Sequence, residues 1–196
     1  MPDDKTLEFY AREASHYVQH GADAPDPHLN AFIAALPPGA RVLELGSGSG
    51  RDAAFMRANG LDIDPTDASA QLAAEATKRI GLPVRLLRFD ELDAVAAYDG
   101  VWACASLLHA PAAELTADLT RIFTALRPGG LFVASFKAGT GEGRDRFGRY
   151  YNYPDAATLL DHYRQAAPWT SLALQSVEGS GYDKKPTEWL WVTARR

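Results

Sequence analysis

The chain has 196 residues, 46% of them hydrophobic, and its 20 basic and 25 acidic side chains give a formal net charge of −5. This size and composition suit one globular domain with a full core, and the negative charge is opposite in sign to the footprint of a nucleic-acid-binding protein. A single cysteine, Cys104, excludes an internal disulfide and a thiolate-rich metal site, and the lack of an apolar run of about 18 residues predicts a cytoplasmic protein without a membrane span or signal peptide.

Two helices are predicted ahead of the first strand. Between Thr6 and Gln19, apolar residues recur at the i, i+3, i+4, i+7 spacing of an amphipathic helix, with Thr6 as its N-cap. A proline break at 25–27 separates it from a second helix at about 28–36, which ends at the Pro-Pro-Gly sequence 37–39. We expect residues 1–39 to form a helical cap over the pocket of a core at 40–196, within a single domain.

Residues 41–52 join an apolar run to a glycine-rich turn and then to a helical segment. The run from Val42 to Leu45 reads as a buried strand. Glycines at 46, 48 and 50 let the backbone turn sharply and approach a ligand without Cβ atoms in the way. Because the amide groups and positive dipole end of the following helix should point at that ligand, we expect it to carry a negative group.

The glycines are spaced G-x-G-x-G, whereas the last glycine of the dinucleotide fingerprint G-x-G-x-x-G would replace Arg51. With Glu44 two residues before the first glycine, segment 44–50 resembles the first motif of the class I S-adenosylmethionine (SAM) methyltransferases, here of the small, single-domain type. In that family the turn wraps the methionine end of the cofactor, and the acidic residue helps to hold its amino group. The motif leaves two alternatives open: the chain could be a nicotinamide or flavin enzyme, or the glycine turn could bind no ligand.

A second strand at 60–67 ends at Asp67, and its pairing should stop near Pro65, which lacks an N–H for the ladder. Asp67 lies 21 residues after Gly46, close to where a nucleotide-binding fold places the carboxylate that binds ribose hydroxyls. We favour this role over that of an N-cap for a helix at 69–80, which Asp67 or Ser69 could supply. Asp62 and Asp64 are weaker candidates for the ribose.

A third strand is predicted at 82–90, with Phe89 and Asp90 at its carboxyl end. In the family that the glycine turn resembles, an acidic residue here receives the adenine amino group while an apolar neighbour covers the ring. This role rests on the resemblance. From the residues themselves, Asp90 could equally cap a short helix at 91–96.

A fourth strand at 101–105 places Ser106 and His109 at the edge where open α/β sheets bind ligands. After a helix at 112–126, Pro128 ends the helix and two glycines allow a tight reversal into the fifth strand. This turn closely resembles the L-x-P-G-G turn of the same family and is expected to be architectural.

Strands at 172–177 and 189–193 are joined by roughly ten residues without a helical pattern, and a parallel crossover needs a dozen or more, so these strands should be antiparallel. Together with the resemblance, this predicts an α/β, doubly wound, mostly parallel seven-stranded sheet with an antiparallel last strand, a Rossmann-like fold.

Methyl transfer from a sulfonium is an in-line displacement that chiefly needs a positioned acceptor, so few catalytic residues are required. His109, with an ordinary pKa of about 6.5, is the candidate general base, and a purely structural histidine is the equal alternative. A long mobile loop at 137–153 is expected to bind an anionic acceptor through Arg144, Arg146, Arg149, Tyr150 and Tyr151, with Tyr151 as the second catalytic candidate. A solvated loop, or contact with RNA, would have the same composition.

The resemblance therefore implies a SAM-dependent methyltransferase of small molecules, monomeric or homodimeric and without a metal. The residues that it implies around the cofactor are Glu44, Gly46, Ser47, Gly48, Gly50, Asp67, Ala68, Phe89, Asp90 and Ser106. Two rival functions remain. An RNA-modifying methyltransferase is favoured by the arginines and disfavoured by the net charge. A regulatory module that binds SAM without turnover is consistent with the lack of an unmistakable catalytic residue.

Overall fold

The computed structural model describes residues 3–18 and 26–196. In these residues the helices are α1 (Asp4–Tyr17), α2 (Pro27–Ala34), α3 (Arg51–Ala58), α4 (Ala70–Ile80), α5 (Ala112–Ala125) and α6 (Ala156–Ala166). The strands are β1 (Arg41–Leu45), β2 (Asp62–Asp67), β3 (Arg85–Leu86), β4 (Tyr98–Ala103), β5 (Leu126–Lys137), β6 (Gly141–Arg144), β7 (Tyr150–Tyr153), β8 (Ser171–Ser180) and β9 (Pro186–Arg195). Short 3₁₀ turns occupy Phe89–Glu91 and Leu107–His109.

Seven strands form one sheet in the order β3-β2-β1-β4-β5-β9-β8. The ladders from β3 to β5 are parallel, whereas β9 runs antiparallel to both β5 and β8. One strand is therefore reversed within an otherwise parallel sheet. This confirms the predicted fold, including the antiparallel relation of the last two strands.

The centre of the sheet is buried on both faces. Val42, Leu43 and Leu45 of β1 are at most 1% exposed, although successive side chains point to opposite sides of the sheet. A strand covered by helices on both sides reads as a continuous apolar run, which is why β1 was recognisable in the sequence. The carboxyl ends of β1, β2 and β4 consequently meet at one edge of a rigid layer.

Helix boundaries follow the capping residues, with one difference from the prediction. Ser69 caps α4 by accepting a hydrogen bond from the Leu72 N–H at 3.4 Å. At α1 the cap is Asp3, whose carboxylate accepts from both the N–H and the hydroxyl of Thr6 at 2.8 Å, so Thr6 lies inside the first turn. The predicted helix end at Gln19 lies outside the described residues.

Pairing of β2 with β1 continues through Pro65 to Thr66, contrary to the expectation that it stops there. The missing N–H of Pro65 is tolerated because the ladder between β2 and β3 begins only at Thr66. Strand β3, which pairs with β2 on the side away from β1, has only two residues, whereas the sequence predicted a strand over residues 82–90. The expected helix at 91–96 is also absent, since a single 3₁₀ turn at Phe89–Glu91 leads directly toward β4.

The insertion after β5 is a β-hairpin rather than the predicted irregular loop. Strands β6 and β7 pair antiparallel, with Arg144 opposite Tyr150. Asp145 closes the turn, because its carboxylate accepts from the N–H groups of Phe147 at 2.9 Å and Arg149 at 3.0 Å. The Arg149 guanidinium also donates to it. Local hydrogen bonds of this kind give a glycine-rich segment a defined conformation.

Helix α1 is attached to this hairpin and to α4. The Tyr150 N–H donates to the Thr6 hydroxyl at 2.8 Å, and Arg144 donates to the Asp3 carboxylate. On the other side, the Arg79 guanidinium donates to the Val18 carbonyl at 2.8 Å. Helix α1 therefore lies across the carboxyl edge of the sheet. Within residues 3–18 and 26–196, no helix has the length and apolarity required to cross a membrane.

Candidate functional site

The glycine turn after β1 adopts left-handed backbone conformations, with φ of +78° at Gly46, +52° at Gly48 and +72° at Gly50. A Cβ on Gly46 would lie 2.5 Å from the Ser106 Cβ, and one on Gly50 would lie 3.0 Å from the Ala76 Cα. Close packing against β4 and α4 thus requires these two glycines. A Cβ on Gly48 would instead approach only Tyr17 of α1, at 3.3 Å, which places Gly48 on the cavity side of the turn.

Glu44 is the acidic residue buried beneath this turn. It is 3% exposed, and its carboxylate accepts a hydrogen bond from the Ser47 hydroxyl. Burial, reinforced by the negative charge of Asp52, raises the pKa of Glu44 to about 8. The Asp52 carboxylate accepts from the Trp102 indole N–H at 3.0 Å. A cationic group that reached Glu44 would relieve the cost of ionising it.

Asp67 ends β2 beside the same turn. Its carboxylate accepts from the N–H groups of Gly48 and Ser69, both at 2.8 Å, and burial raises its pKa. Together with Ala68, Phe89 and Ser106, it lines a small cavity of about 100 Å³. The structure thus brings together the residues predicted for ribose and adenine, apart from Asp90.

Two polar groups near this small cavity differ in their surroundings. The Ser106 hydroxyl is buried and has no hydrogen-bond partner among the residues the structure describes, so it is available to a bound molecule. Asp90 does not line the cavity. Its side chain is 41% exposed, yet its Oδ1, 3.5 Å from the Arg88 guanidinium, is itself buried and, like the Ser106 hydroxyl, has no hydrogen-bond partner among the described residues. The contact of Asp90 with adenine stays a prediction.

A much larger cavity of about 940 Å³ adjoins the glycine turn. Its walls come from α1, from the region around α2, from the carboxyl ends of β1, β4 and β5, and from β8 and β9. Tyr10 and Tyr17 of α1 line both cavities. The arrangement agrees with the expectation that the N-terminal helices cover the pocket.

His109 lies at the junction of the two cavities, and both of its ring nitrogens are bonded within the protein. Nδ1 is 2.6 Å from the Tyr150 carbonyl, which can only accept, so Nδ1 carries the proton. The Tyr10 hydroxyl then donates to Nε2 at 2.9 Å. Burial lowers the pKa of His109 to about 4, and the nearby Arg149 charge adds to this effect. His109 is therefore a neutral acceptor of one hydrogen bond from α1.

The predicted acceptor residues divide into two groups. Arg149 and Tyr151 line the large cavity, as His109 does, whereas Arg144, Arg146 and Tyr150 do not. Those three side chains point outward. Arg144 pairs with Asp3, Arg146 lies over the Phe147 ring at 4.5 Å, and the Tyr150 hydroxyl donates to Glu142. Arg144 and Tyr150 are paired across the hairpin and share the face opposite to that of Tyr151, while Arg146 lies in the turn between the two strands.

Arg149 is 1% exposed, and most of its donors are already used. Nε and Nη2 donate to the Asp145 carboxylate at 2.9 and 2.7 Å, and Nη1 donates to the Tyr10 hydroxyl at 3.2 Å. Rings of Phe9, Tyr10, Phe147, Tyr151 and Tyr182 surround the guanidinium. Arg149 thus stabilises the wall of the cavity more than it offers charge to it.

Several wall residues were not predicted from the sequence. In the sequence, Tyr10 was only one of the apolar positions of the predicted first helix, and Lys137 was only the first residue of the predicted loop at 137–153. His28 stacks on Trp191 with ring centroids 4.0 Å apart. This contact joins α2 to β9 and could not be predicted from the residues near either one in the sequence. Alternation in β9, which places Trp189 and Trp191 on the same face, was the one available signal. In the described part of the chain, no cluster of His, Cys, Asp or Glu is arranged to hold a metal ion.

Comparison with known proteins gives one family and several relatives. A family model described as "Methyltransferase domain" matches residues 14–176. The S-adenosyl-L-methionine-dependent Diels-Alderase iccD of Talaromyces variabilis is 33% identical over 109 residues, which cover 50% of this chain and 37% of that protein. The malonyl-[acyl-carrier protein] O-methyltransferase of Enterobacter lignolyticus (strain SCF1) is 31% identical over 136 residues, covering 63% and 50%. The chain spans half or less of these two curated relatives.

Among solved structures, a similar one is the 1,6-didemethyltoxoflavin-N1-methyltransferase of Burkholderia thailandensis, with bound 1,6-didemethyltoxoflavin and S-adenosylhomocysteine. It is 26% identical, has a TM-score of 0.67, and the match covers 97% of this chain and 90% of that one. The similarity therefore extends over nearly the whole length of both chains.

Proposed function

We propose, because this chain belongs to the class I SAM-dependent methyltransferase family, that it transfers a methyl group from SAM to a small-molecule acceptor bearing an anionic group. The observation that carries the proposal is the glycine turn at the carboxyl end of β1, which opens on a cavity of about 940 Å³ above the buried Glu44. Ligand pockets for small molecules commonly have about 300–1,000 Å³.

The residues at the turn fit the cofactor. Glu44 would hold the ammonium of its methionine part, and Asp67 its ribose hydroxyls. Phe89 and Ala68 would cover the adenine, and the unpartnered Ser106 hydroxyl would bond a polar atom nearby. When bound, SAM supplies the methyl group together with its own leaving group.

The small cavity of about 100 Å³ lies below the usual range for a ligand site. Tyr10 and Tyr17 reach it from α1 and take up part of the space. Binding of the adenosine part therefore requires these two side chains, or α1 itself, to shift. The cofactor and the acceptor would then meet under the same helix, with Gly48 between them and α1.

On the acceptor side the protein's task is to position the acceptor and to accept its proton. Nε2 of His109 is the available basic atom, and the Tyr10 hydroxyl that bonds it lies in the cavity wall. Tyr10 can pass its proton to Nε2 while its oxygen takes the proton of the acceptor. Tyr151 lines the cavity beside His109, at 4.6 Å between ring centroids, and burial raises the pKa of Tyr151. Its phenol is therefore a neutral hydrogen-bond donor.

Calorimetric titration with SAM, S-adenosylhomocysteine and NAD tests the cofactor half of the proposal. We expect binding of the first two and negligible binding of NAD. The transferase half is tested by release of S-adenosylhomocysteine in the presence of candidate acceptors. Tight NAD binding, or the absence of SAM binding, would refute the assignment.

Similarity to a SAM-dependent Diels-Alderase, at 33% identity, favours one second candidate. In that case the chain would bind SAM or S-adenosylhomocysteine and position a substrate for ring closure without methyl transfer. The two candidates differ in one observable. A methyltransferase consumes one SAM per product, whereas the second activity would proceed equally with S-adenosylhomocysteine.

A further inference from the structure

Lys137 is a largely buried cation that forms no salt bridge with the described residues. It is the last residue of β5, lies opposite Trp189 of β9 in the sheet register and is 8% exposed. Among the residues that the structure describes, none accepts a hydrogen bond from its ammonium and none places a carboxylate within the 4.0 Å of a salt bridge. Its contacts are aromatic, with Nζ 4.6 Å from the Tyr151 ring centroid and 5.7 Å from that of Trp189.

The surroundings of this ammonium compensate its charge only in part. Burial lowers the pKa of Lys137, and the Asp183 carboxylate, which lies beside Gly181 as the ammonium does, opposes this effect, while Arg149 lowers the pKa and Asp145 raises it by smaller amounts. Asp145 is already bonded to Arg149 at 2.7 Å. The cation–π contacts and the Asp183 carboxylate therefore offset only part of the cost of placing the ammonium in a largely buried position.

That charge faces the acceptor space. Lys137 lines the cavity of about 940 Å³, which it shares with the glycine turn. The other cations of this wall differ from it. Arg51 pairs with Asp52 at 3.1 Å, Arg149 pairs with Asp145, and Lys184 is exposed. Lys137 is the one among these four that is both buried and without a salt bridge to the described residues.

We infer that Lys137 is the anion-binding residue of the acceptor pocket and that the acceptor is a flat organic acid, whose carboxylate bonds the ammonium while its ring lies among Tyr151, Trp189 and Trp191. This assignment rests on the proposed function, since it concerns the acceptor of the same reaction. It moves the expected charge contact from the hairpin arginines to the end of β5. A buried charge-assisted hydrogen bond is strong and specific, which makes Lys137 a specificity-determining residue.

Matched pairs of acids and amides provide the test. The probes are 4-hydroxybenzoate with 4-hydroxybenzamide, and indole-3-acetate with indole-3-acetamide, titrated into protein saturated with S-adenosylhomocysteine. We expect at least one acid to bind about tenfold or more tightly than its amide. Lys137→Met should abolish that preference and Lys137→Arg should retain part of it. Lys78→Met, at an exposed lysine of α4, should leave it unchanged.

If no acid binds more tightly than its amide, or if the preference survives in Lys137→Met, the inference is wrong. The affinity for S-adenosylhomocysteine, measured in a separate titration of the ligand-free protein, separates this failure from that of the proposed function. Normal cofactor affinity without acid preference would overturn only the role of Lys137. Loss of cofactor binding in the wild type would overturn the function itself.

Thermal unfolding gives a second measurement that needs no acceptor. Removing a charge that its surroundings compensate only in part should leave the melting temperature of ligand-free Lys137→Met equal to or above that of the wild type, as at other sites where function costs stability. If Lys137 had a packing role instead, the same substitution would lower the melting temperature. A melting temperature lowered by several degrees, with the acid preference intact, would reduce Lys137 to a structural lysine.

Discussion

The hydroxyl of Tyr10 and Nε2 of His109 are joined by a hydrogen bond of 2.9 Å, although 99 residues separate them in the chain. Nδ1 of the same imidazole donates to the Tyr150 carbonyl, and Arg149 donates to Tyr10. Helix α1, the end of β4 and the hairpin therefore converge on one neutral imidazole. Proton transfer from the acceptor to His109 must therefore either pass through the Tyr10 hydroxyl or displace it from Nε2.

His109→Ala should lower the rate of methyl transfer by about 10²–10⁴ and leave SAM affinity within a few-fold, because His109 contacts the acceptor side. With a pKa of about 4, the imidazole is neutral from about pH 5.5 upward, so the acid limb of kcat/KM should lie near pH 4 and not near 6.5.

His109→Gln is the matched variant, since an amide can donate to Tyr150 and accept from Tyr10 but cannot act as a base. We expect it to lose nearly as much activity as the alanine variant. Full activity in His109→Gln across pH would assign the residue a structural role.

Gly48→Val should abolish measurable SAM binding, because the branched side chain would enter the space beside Tyr17 where the ligand is expected. Gly60→Val is the control. Gly60 has φ +83° and nothing within 4 Å of its position for Cβ, so it shares the backbone strain without blocking the site. Calorimetry measures SAM binding and melting temperatures measure stability, so together they distinguish a blocked site from backbone strain. Unaltered SAM affinity in Gly48→Val would contradict the placement of the cofactor.

Asp67→Ala should weaken SAM binding by tens-fold or more, since two charge-assisted hydrogen bonds to the ribose contribute about 1.5–3 kcal/mol each. The substitution also removes the hydrogen bonds that Asp67 accepts from Gly48 and Ser69. The melting temperature of the variant should therefore be measured as well, to separate lost stability from lost binding. Asp62→Ala, whose side chain is 69% exposed, should change affinity little. The opposite ranking of the two variants would disprove ribose binding by Asp67.

Binding of SAM at pH 6.5 should release close to one proton. Glu44, with a pKa of about 8, is mostly protonated there, while the amino group of SAM is charged because ordinary α-amino groups have a pKa of about 7.7–8.0. An ammonium favours the ionised carboxylate, so affinity should rise by up to about tenfold per pH unit from pH 6 to about 7.5. Calorimetry in buffers of different ionisation enthalpy measures the proton. Glu44→Gln should show no release, and equal release in that variant would exclude Glu44 as its source.

Much of the proposed cofactor site could be predicted from the sequence, because the residue patterns that indicate it are each confined to a short segment. The turn at Gly46 to Gly50 and the end of β2 at Asp67 each lie within a few residues of a buried strand. Ser69 was one of two possible caps for α4, and hydrogen-bond geometry settles the choice. The third strand was predicted too long, because only two of the nine residues at 82–90 form the ladder with β2, and the contact of Asp90 with adenine stays a prediction.

The acceptor side could not be predicted in the same way, because its wall is built from residues distant in sequence. Lys137 owes its position to pairing with β9, and His28 meets Trp191 across 163 residues. The hairpin arginines suggested an anion site by composition. Arg144 and Arg146 lie outside the cavity and Arg149 lies in its wall, a division that depends on the register of β6 with β7 and on the turn that Asp145 closes through hydrogen bonds.

Strand β9 lies between β5 and β8 in the sheet, although it follows both of them in the chain. During synthesis β8 has no strand to pair with until β9 emerges, whereas β1 to β5 can already form their ladders. The turn at Gly46 to Gly50 and the carboxylate of Asp67 therefore belong to the part of the sheet that can assemble early. The wall around Trp189 and Trp191 closes only when the final ten-residue strand inserts, so a nascent chain would acquire a cofactor site before it acquires a place for a second molecule.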